Sequence, residues 1–239
     1  MVEIFESIEI WNGATPFAAG TINAKAFKKW LSLLDEGKRL TATTGSDTHN
    51  IYGDDYFGMT EWLDWMMDIV MKHPEIYPVQ MNEKVAYLTW LYNKVWPRLL
   101  SWVEQSNTPS TIHNYVYTNG KNQPQEILQA IREGHSFISN GPLVTAEVNG
   151  VSYGEKAVLK DRTGTLSVHV FSKKPINHLW MYTGVDKKVE ICTESGSLEG
   201  GFAYDIVTDE FDFGGASWAL FVADGGENNL AISNPILFA

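Results

Sequence analysis

The chain has 239 residues, 44% of them hydrophobic and 13% aromatic, enough apolar material for one large or two ordinary folded domains. Eighteen Lys and Arg against 29 Asp and Glu leave a net charge of −11, which repels phosphate backbones and anionic headgroups and so argues against nucleic acid or a membrane surface as partner. The single cysteine, Cys192, excludes an intramolecular disulfide and a cysteine-rich zinc site and reads as an ordinary strand residue. No apolar run approaches the roughly 18 residues that cross a bilayer, and Met1-Val2-Glu3-Ile4-Phe5-Glu6 lacks a basic-then-apolar leader pattern. The expected location is cytoplasmic by default.

Ile8-Glu9-Ile10-Trp11 alternates apolar and polar and stops at Asn12-Gly13, a strand running into a turn. A helix is expected from Ala24 to Glu36, with Phe27, Trp30, Leu31 and Leu34 at helical spacing and Gly37 just past its end. A strand over Arg39 to Thr44 comes next. Strand, helix, strand is the order of a parallel α/β unit, in which functional groups collect at the C-terminal strand ends. From Met59 to Gln105, Trp62, Trp65, Met66, Ile69 and Val70 make one helical stripe and Val85, Leu88, Tyr92, Val95, Leu99 and Trp102 a second, interrupted by Pro97. This predicts a helical hairpin packed on the α/β core. Tyr115-Val116-Tyr117 reads as a strand, Asn119-Gly120 as a turn, and Pro124 to Glu133 as a helix started by proline and stopped by Gly134. Phe137-Ile138-Ser139 then runs into Asn140-Gly141-Pro142. Beyond it, short alternating runs such as Leu166-Val168-Val170, Leu179-Met181 and Ala219-Phe221 predict a β-sandwich of some five to seven strands. The expected division is therefore 1–142 as an α/β region with a 59–106 helical-hairpin insertion, and 143–239 as the sandwich.

Chemistry concentrates in Gly45-Ser46-Asp47-Thr48-His49. Alternate residues of an extended chain point the same way about 6.5 Å apart, so the Asp47 carboxylate and the His49 imidazole can share one ion. Mixed oxygen and nitrogen ligation suits Zn, Mn or Fe. A catalytic metal takes about three protein ligands and keeps a position for water, so two residues are half a site. A serine-nucleophile enzyme is a poor fit: no Gly-x-Ser-x-Gly elbow occurs, and Ser46 lies near a histidine without a recognisable third member. No catalytic residue is assigned. The aromatics Tyr153, Tyr182, Tyr204 and Trp218 could form a glycan or partner platform, but sandwich aromatics are more often core. His135, directly after a helix stop, reads as structural.

Taken in order, Ile8-Glu9-Ile10-Trp11-Asn12-Gly13, the run Trp30-x-x-Leu33-Leu34-x-x-Gly37-Lys38-Arg39-Leu40, Gly45 to Asn50, Ile131-Arg132-Glu133-Gly134-His135-Ser136-Phe137, Asn140-Gly141-Pro142 and Ser233-Asn234-Pro235-Ile236 resemble the C-terminal portion of the CehA/McbA group of the PHP (polymerase and histidinol phosphatase) metallohydrolase superfamily. The resemblance implies a partial PHP-type (β/α) barrel followed by a β-sandwich, and metal-dependent hydrolysis of phosphoesters or carbamate esters, with a small-molecule ester as substrate. It implies Asp47 and His49 as metal ligands, Ser46 and Asn50 as their flanks, and Glu9 and Asn12 at the strand end bordering the pocket. Such enzymes also begin with His-x-His, and here the first histidine is His49; His73, His113, His135, His169 and His178 show no replacement spacing. The expectation is a chain that starts partway round the barrel, incomplete alone, and completed by a missing N-terminal half or paired as a homodimer. The alternative is a non-catalytic binding protein built on a remnant of that architecture.

Overall fold

The structure is a computed structural model and describes residues 6–13, 17–45, 112–118, 120–192, 196–198, 200–226 and 229–239. The chain divides into two compact units, Met1–Gly45 with Thr111–Ala239, and Ser46–Ser110. The second lies wholly outside the described residues, and the expected 59–106 helical hairpin with it.

Two stacked sheets form the body of the first unit. The smaller is built from β5 (Leu143–Val148), β7 (Thr163–Ser172), β10 (Gly196–Leu198) and β11 (Gly201–Asp212), in the order β10-β11-β7-β5. The larger contains β3 (His113–Val116), β4 (Ser136–Ser139), β6 (Lys156–Ala157), β12 (Trp218–Asp224), β13 (Leu230–Ser233) and β14 (Ile236–Phe238), in the order β3-β4-β13-β12-β14-β6. β8 (His178–Gly184) also pairs with β12, and β9 (Lys187–Cys192) lies beyond it. Val144, Ala146, Leu166, Val168 and Val170 of the smaller sheet meet Phe137, Leu179, Met181, Phe221 and Ala231 of the larger in one core. The opposite face of the larger sheet, carrying Ile138, Trp218, Leu220, Val222 and Ile232, packs against helix α1 (Ile22–Asp35) and strand β1 (Ser7–Asn12). β12 is thus covered on both faces, which is why Trp218 to Ala223 is an unbroken buried apolar run rather than an alternating one.

The expected partial (β/α) barrel is overturned: among the described residues the fold is predominantly β. β1 and β2 (Thr41–Gly45) do pair in parallel around α1, but as a sheet of two strands. Where a barrel would continue in parallel, β3 and β4 pair antiparallel with each other across helix α2 (Pro124–Glu133), and β4 pairs antiparallel with β13. Periodicity finds strand, helix, strand in both designs; it does not fix the direction in which the second strand returns. The two helices themselves arise from local signals. Thr21 caps α1, its hydroxyl accepting from the Ala24 N–H at 3.3 Å, and Gly37 comes after it with φ +79°. α2 begins at Pro124 and ends at Gly134, which takes the left-handed conformation at φ 80°. Among the described residues no helix is long and apolar enough to cross a membrane.

Candidate functional site

The free edge of β2 is finished by asparagine side chains. In the parallel pair, Thr41 and Thr43 turn their backbone groups toward β1, the Thr41 N–H donating to Glu6 O at 3.0 Å. Ala42 and Thr44 therefore turn theirs away, where a third strand would bond them. A side-chain amide carries the same donor and acceptor as a peptide group. Asn234 uses this on Ala42, accepting its N–H at 2.7 Å and donating to its O at 3.2 Å. Asn114 of β3 does the same for Thr44, at 3.1 and 2.9 Å. A third amide, Asn23 of α1, bonds Asn12 of β1 at 2.9 and 3.1 Å. Buried backbone groups must find partners; among the described residues Asn234 and Asn114 supply them along β2 and Asn23 at the end of β1.

This clamping fixes the C-terminal end of the β1–β2 pair. A bulge between Glu9 and Trp11 breaks the alternation, so Ile10 and Trp11 are both buried while Glu9 stays exposed. The Gly13 N–H donates to Gly45 O at 2.8 Å, closing the pair. Glu9 lies along the strand end: its Oε2 sits 2.6 Å from where a Cβ on residue 45 would be, so glycine there makes room for the carboxylate. Asn12 Nδ2 donates to Glu9 Oε1 at 3.4 Å. Of the six residues the sequence assigns to the site, Glu9 and Asn12 are thus brought together at one strand end, while Ser46, Asp47, His49 and Asn50 lie outside the described residues. A carboxylate oxygen is the kind of donor a divalent cation takes, so Glu9 could supply one ligand. Among the described residues no three His, Cys, Asp or Glu side chains cluster at metal-binding range.

A cleft of about 350 Å³ opens elsewhere, beside the N-terminal end of β2, lined by Arg39, Thr41, Arg132, His135, Pro235 and neighbours. Acidic groups already answer two of its basic ones. Arg132 Nε lies 3.4 Å from Glu6, and His135 sits between Glu133 at 3.7 Å and Glu155 at 3.8 Å. The aromatics considered as a binding platform are core: Tyr153, Tyr204 and Trp218 are 1%, 3% and 1% exposed, and half-buried Tyr182 meets Phe27 edge-on at 5.5 Å. Buried hydroxyls there find backbone partners, Tyr153 donating to Val144 O at 2.6 Å. Burial pushes the Tyr153 phenol well above its ordinary value of 10.0, with Tyr117 and Glu147 adding to the shift.

Most motif residues prove to be joints. Asn234 also donates to Ser136 O and Oγ at 3.1 and 2.9 Å. Ser233 Oγ accepts the Phe221 N–H at 2.8 Å where β12 passes from β13 to β14. Asn140 Oδ1 accepts the Leu230 N–H at 2.7 Å, and Trp30 Nε1 donates to Leu40 O at 2.8 Å. Sequence reasoning missed Asn23 and Asn114; an asparagine that bonds like a strand leaves no pattern different from one in a turn. No protein-family model, curated protein or solved structure matches the chain.

Proposed function

We propose that the chain is part of a metal-dependent hydrolase acting on a phosphoester or carbamate ester, with Asp47 and His49 as metal ligands. The observation that carries this is the strand end itself. A parallel β1–α1–β2 unit delivers Gly45 next to an exposed Glu9 carboxylate, immediately before Ser46-Asp47-Thr48-His49-Asn50 in the chain. The reading rests on that juncture and the motif order, not on a barrel. Asp47 and His49 would hold the divalent ion, Zn, Mn or Fe, with Ser46 and Asn50 flanking them in sequence; Glu9 and Asn12 lie at the end of the strand pair that leads into that segment. When bound, such a metal lowers the pKa of a water and polarises the ester oxygen. Two ligands hold a metal weakly, so further ligands come from a second copy of the chain or a preceding segment, in a cytoplasmic protein.

The test is metal analysis and hydrolysis of bis(p-nitrophenyl) phosphate with Mn or Zn, on the protein alone and co-expressed with the coding segment upstream of Met1. Metal retention and turnover that vanish in Asp47→Ala and His49→Ala support the proposal. No metal and no turnover in either setting would sink it. The second reading, a non-catalytic binding protein, is favoured by one observation: Asn234, Ser233 and Asn140 each hold a backbone joint that needs no metal, so the motif order can outlive the chemistry. Failure to retain metal in both settings is its expected result.

A further inference from the structure

On the outer face of the smaller sheet, Ser167, His169 and Asp205 form a hydrogen-bonded relay. Ser167 and His169 alternate with the buried Leu166, Val168 and Val170 on β7, so both point to solvent. Asp205 is the cross-strand partner of His169 on β11. His169 Nδ1 lies 2.7 Å from Asp205 Oδ1, and His169 Nε2 lies 2.9 Å from Ser167 Oγ. A carboxylate only accepts, so it fixes the proton on Nδ1; the neutral ring then offers the Nε2 lone pair, and the Ser167 hydroxyl donates to it. Carboxylate, imidazole and hydroxyl stand in the order that activates a serine. Two apolar side chains flank them: Phe171, 41% exposed, next along β7, and Val207, 66% exposed, opposite Ser167. We propose that Ser167 is a nucleophile for small acyl esters, activated by His169, which Asp205 orients. Sequence reading passed over it because Ser-x-His is one strand's alternation, and the third member arrives only through the register of β7 with β11.

In the reaction Ser167 Oγ attacks the ester carbonyl as its proton moves to His169 Nε2. The C–O bond to the leaving group then breaks, the alkoxide takes that proton, and an acyl-serine remains. Water adds to the acyl carbon by the same proton route, giving a carboxylic acid and restoring the hydroxyl, so ester and water become acid and alcohol. β7 is paired along both edges, with β5 and β11, so its N–H groups are engaged in the sheet rather than aimed at an oxyanion. Each such donor is worth about 10²–10³ in rate, so turnover is slow and the open face selects little beyond small, activated esters. The test uses the full chain with p-nitrophenyl acetate and a fluorophosphonate probe, with EDTA present so that a metal-dependent activity at Asp47 and His49 does not contribute. Expected are probe attachment at Ser167 by peptide mass spectrometry and a rate that falls about 100-fold in both Ser167→Ala and His169→Ala, the scale of general-base catalysis. Circular dichroism should show all variants folded, since His169 and Asp205 are exposed and Ser167 is half-buried on the outer face of the sheet. A folded wild-type chain that does not label at Ser167 overturns the proposal. So does a rate that drops in His169→Ala but not in Ser167→Ala, which is imidazole catalysis without the serine.

Discussion

Replacing Asn234 by alanine should be among the most damaging single changes in this unit. Asn234 is 1% exposed, as are Ala42 and Ser136 around it. The substitution removes the acceptor of the Ala42 N–H and the donor to Ala42 O, and leaves Ser136 O only the Asn234 backbone N–H at 3.2 Å. A buried backbone group left without a partner costs about 1–3 kcal/mol. Two are orphaned on Ala42, and the loss of the Ser136 Oγ bond adds roughly 1 kcal/mol more. The sum is about 3–7 kcal/mol, which at about 2–4 °C per kcal/mol for a chain of this size lowers Tm by roughly 15 °C. Asn114 makes the same pair of bonds to Thr44, but in a half-buried place that water reaches, so Asn114→Ala should lose only about 1 kcal/mol. Urea unfolding followed by circular dichroism reads both. A loss below about 1 kcal/mol for Asn234→Ala, or equal losses for the two variants, would refute the claim that these amides partner the backbone groups of β2.

The glycines and a buried tyrosine give three further expected outcomes. Gly154 sits at φ +78°, and a Cβ there would lie 2.0 Å from Glu133 O, so Gly154→Ala should push the end of α2 away and destabilise by roughly 3 kcal/mol or more in the same unfolding assay. Gly45→Ala meets only the flexible end of the Glu9 side chain; it should leave stability within about 1 kcal/mol while weakening metal retention measured by mass spectrometry. Tyr153 is neutral when folded, its pKa raised by burial; a raised folded value means its contribution is whole below the unfolded value of about 10 and is lost as pH rises past it, at about 1.4 kcal/mol per pH unit. Tyr153→Phe should therefore show a shallower alkaline loss of stability above pH 10 than the parent, despite losing its bond to Val144 O.

Legibility in the sequence tracked how local each cause is. α2 runs from Pro124 to Glu133 as expected because proline, the Gln123 and Glu126 capping pair and Gly134 are all within the segment. α1 begins at Ile22, two residues before the expected Ala24, because Thr21 takes the cap. The return direction of β4 was not legible. Phe137 and Ile138 face opposite cores, and a strand buried on both sides looks the same in a parallel or antiparallel sheet. Nor was the register of β7 on β11, with its shift between Thr208 and Phe211, since register is a property of two segments tens of residues apart. Glu9 and Asn12 were named through the resemblance, and the structure places them together at one strand end, whereas the amides of Asn23, Asn114 and Asn234 were invisible as strand substitutes.

That distinction decides what the motif order is worth. Trp30, Gly134, Ser136, Asn140, Ser233 and Asn234 occupy caps, strand switches and edge clamps, each required by buried backbone groups whatever the chain does. The fold therefore accounts for those residues with or without a metal. Glu9 differs. It is exposed, its described hydrogen bond is a long one from Asn12 at 3.4 Å, and the carboxylate lies where any side chain on residue 45 would displace it. An exposed carboxylate with one weak contact contributes little to folding, so replacing Glu9 should cost the fold little. The proposed function therefore rests on Glu9, Asp47 and His49 rather than on the asparagine clamps, whose bonds the fold alone explains.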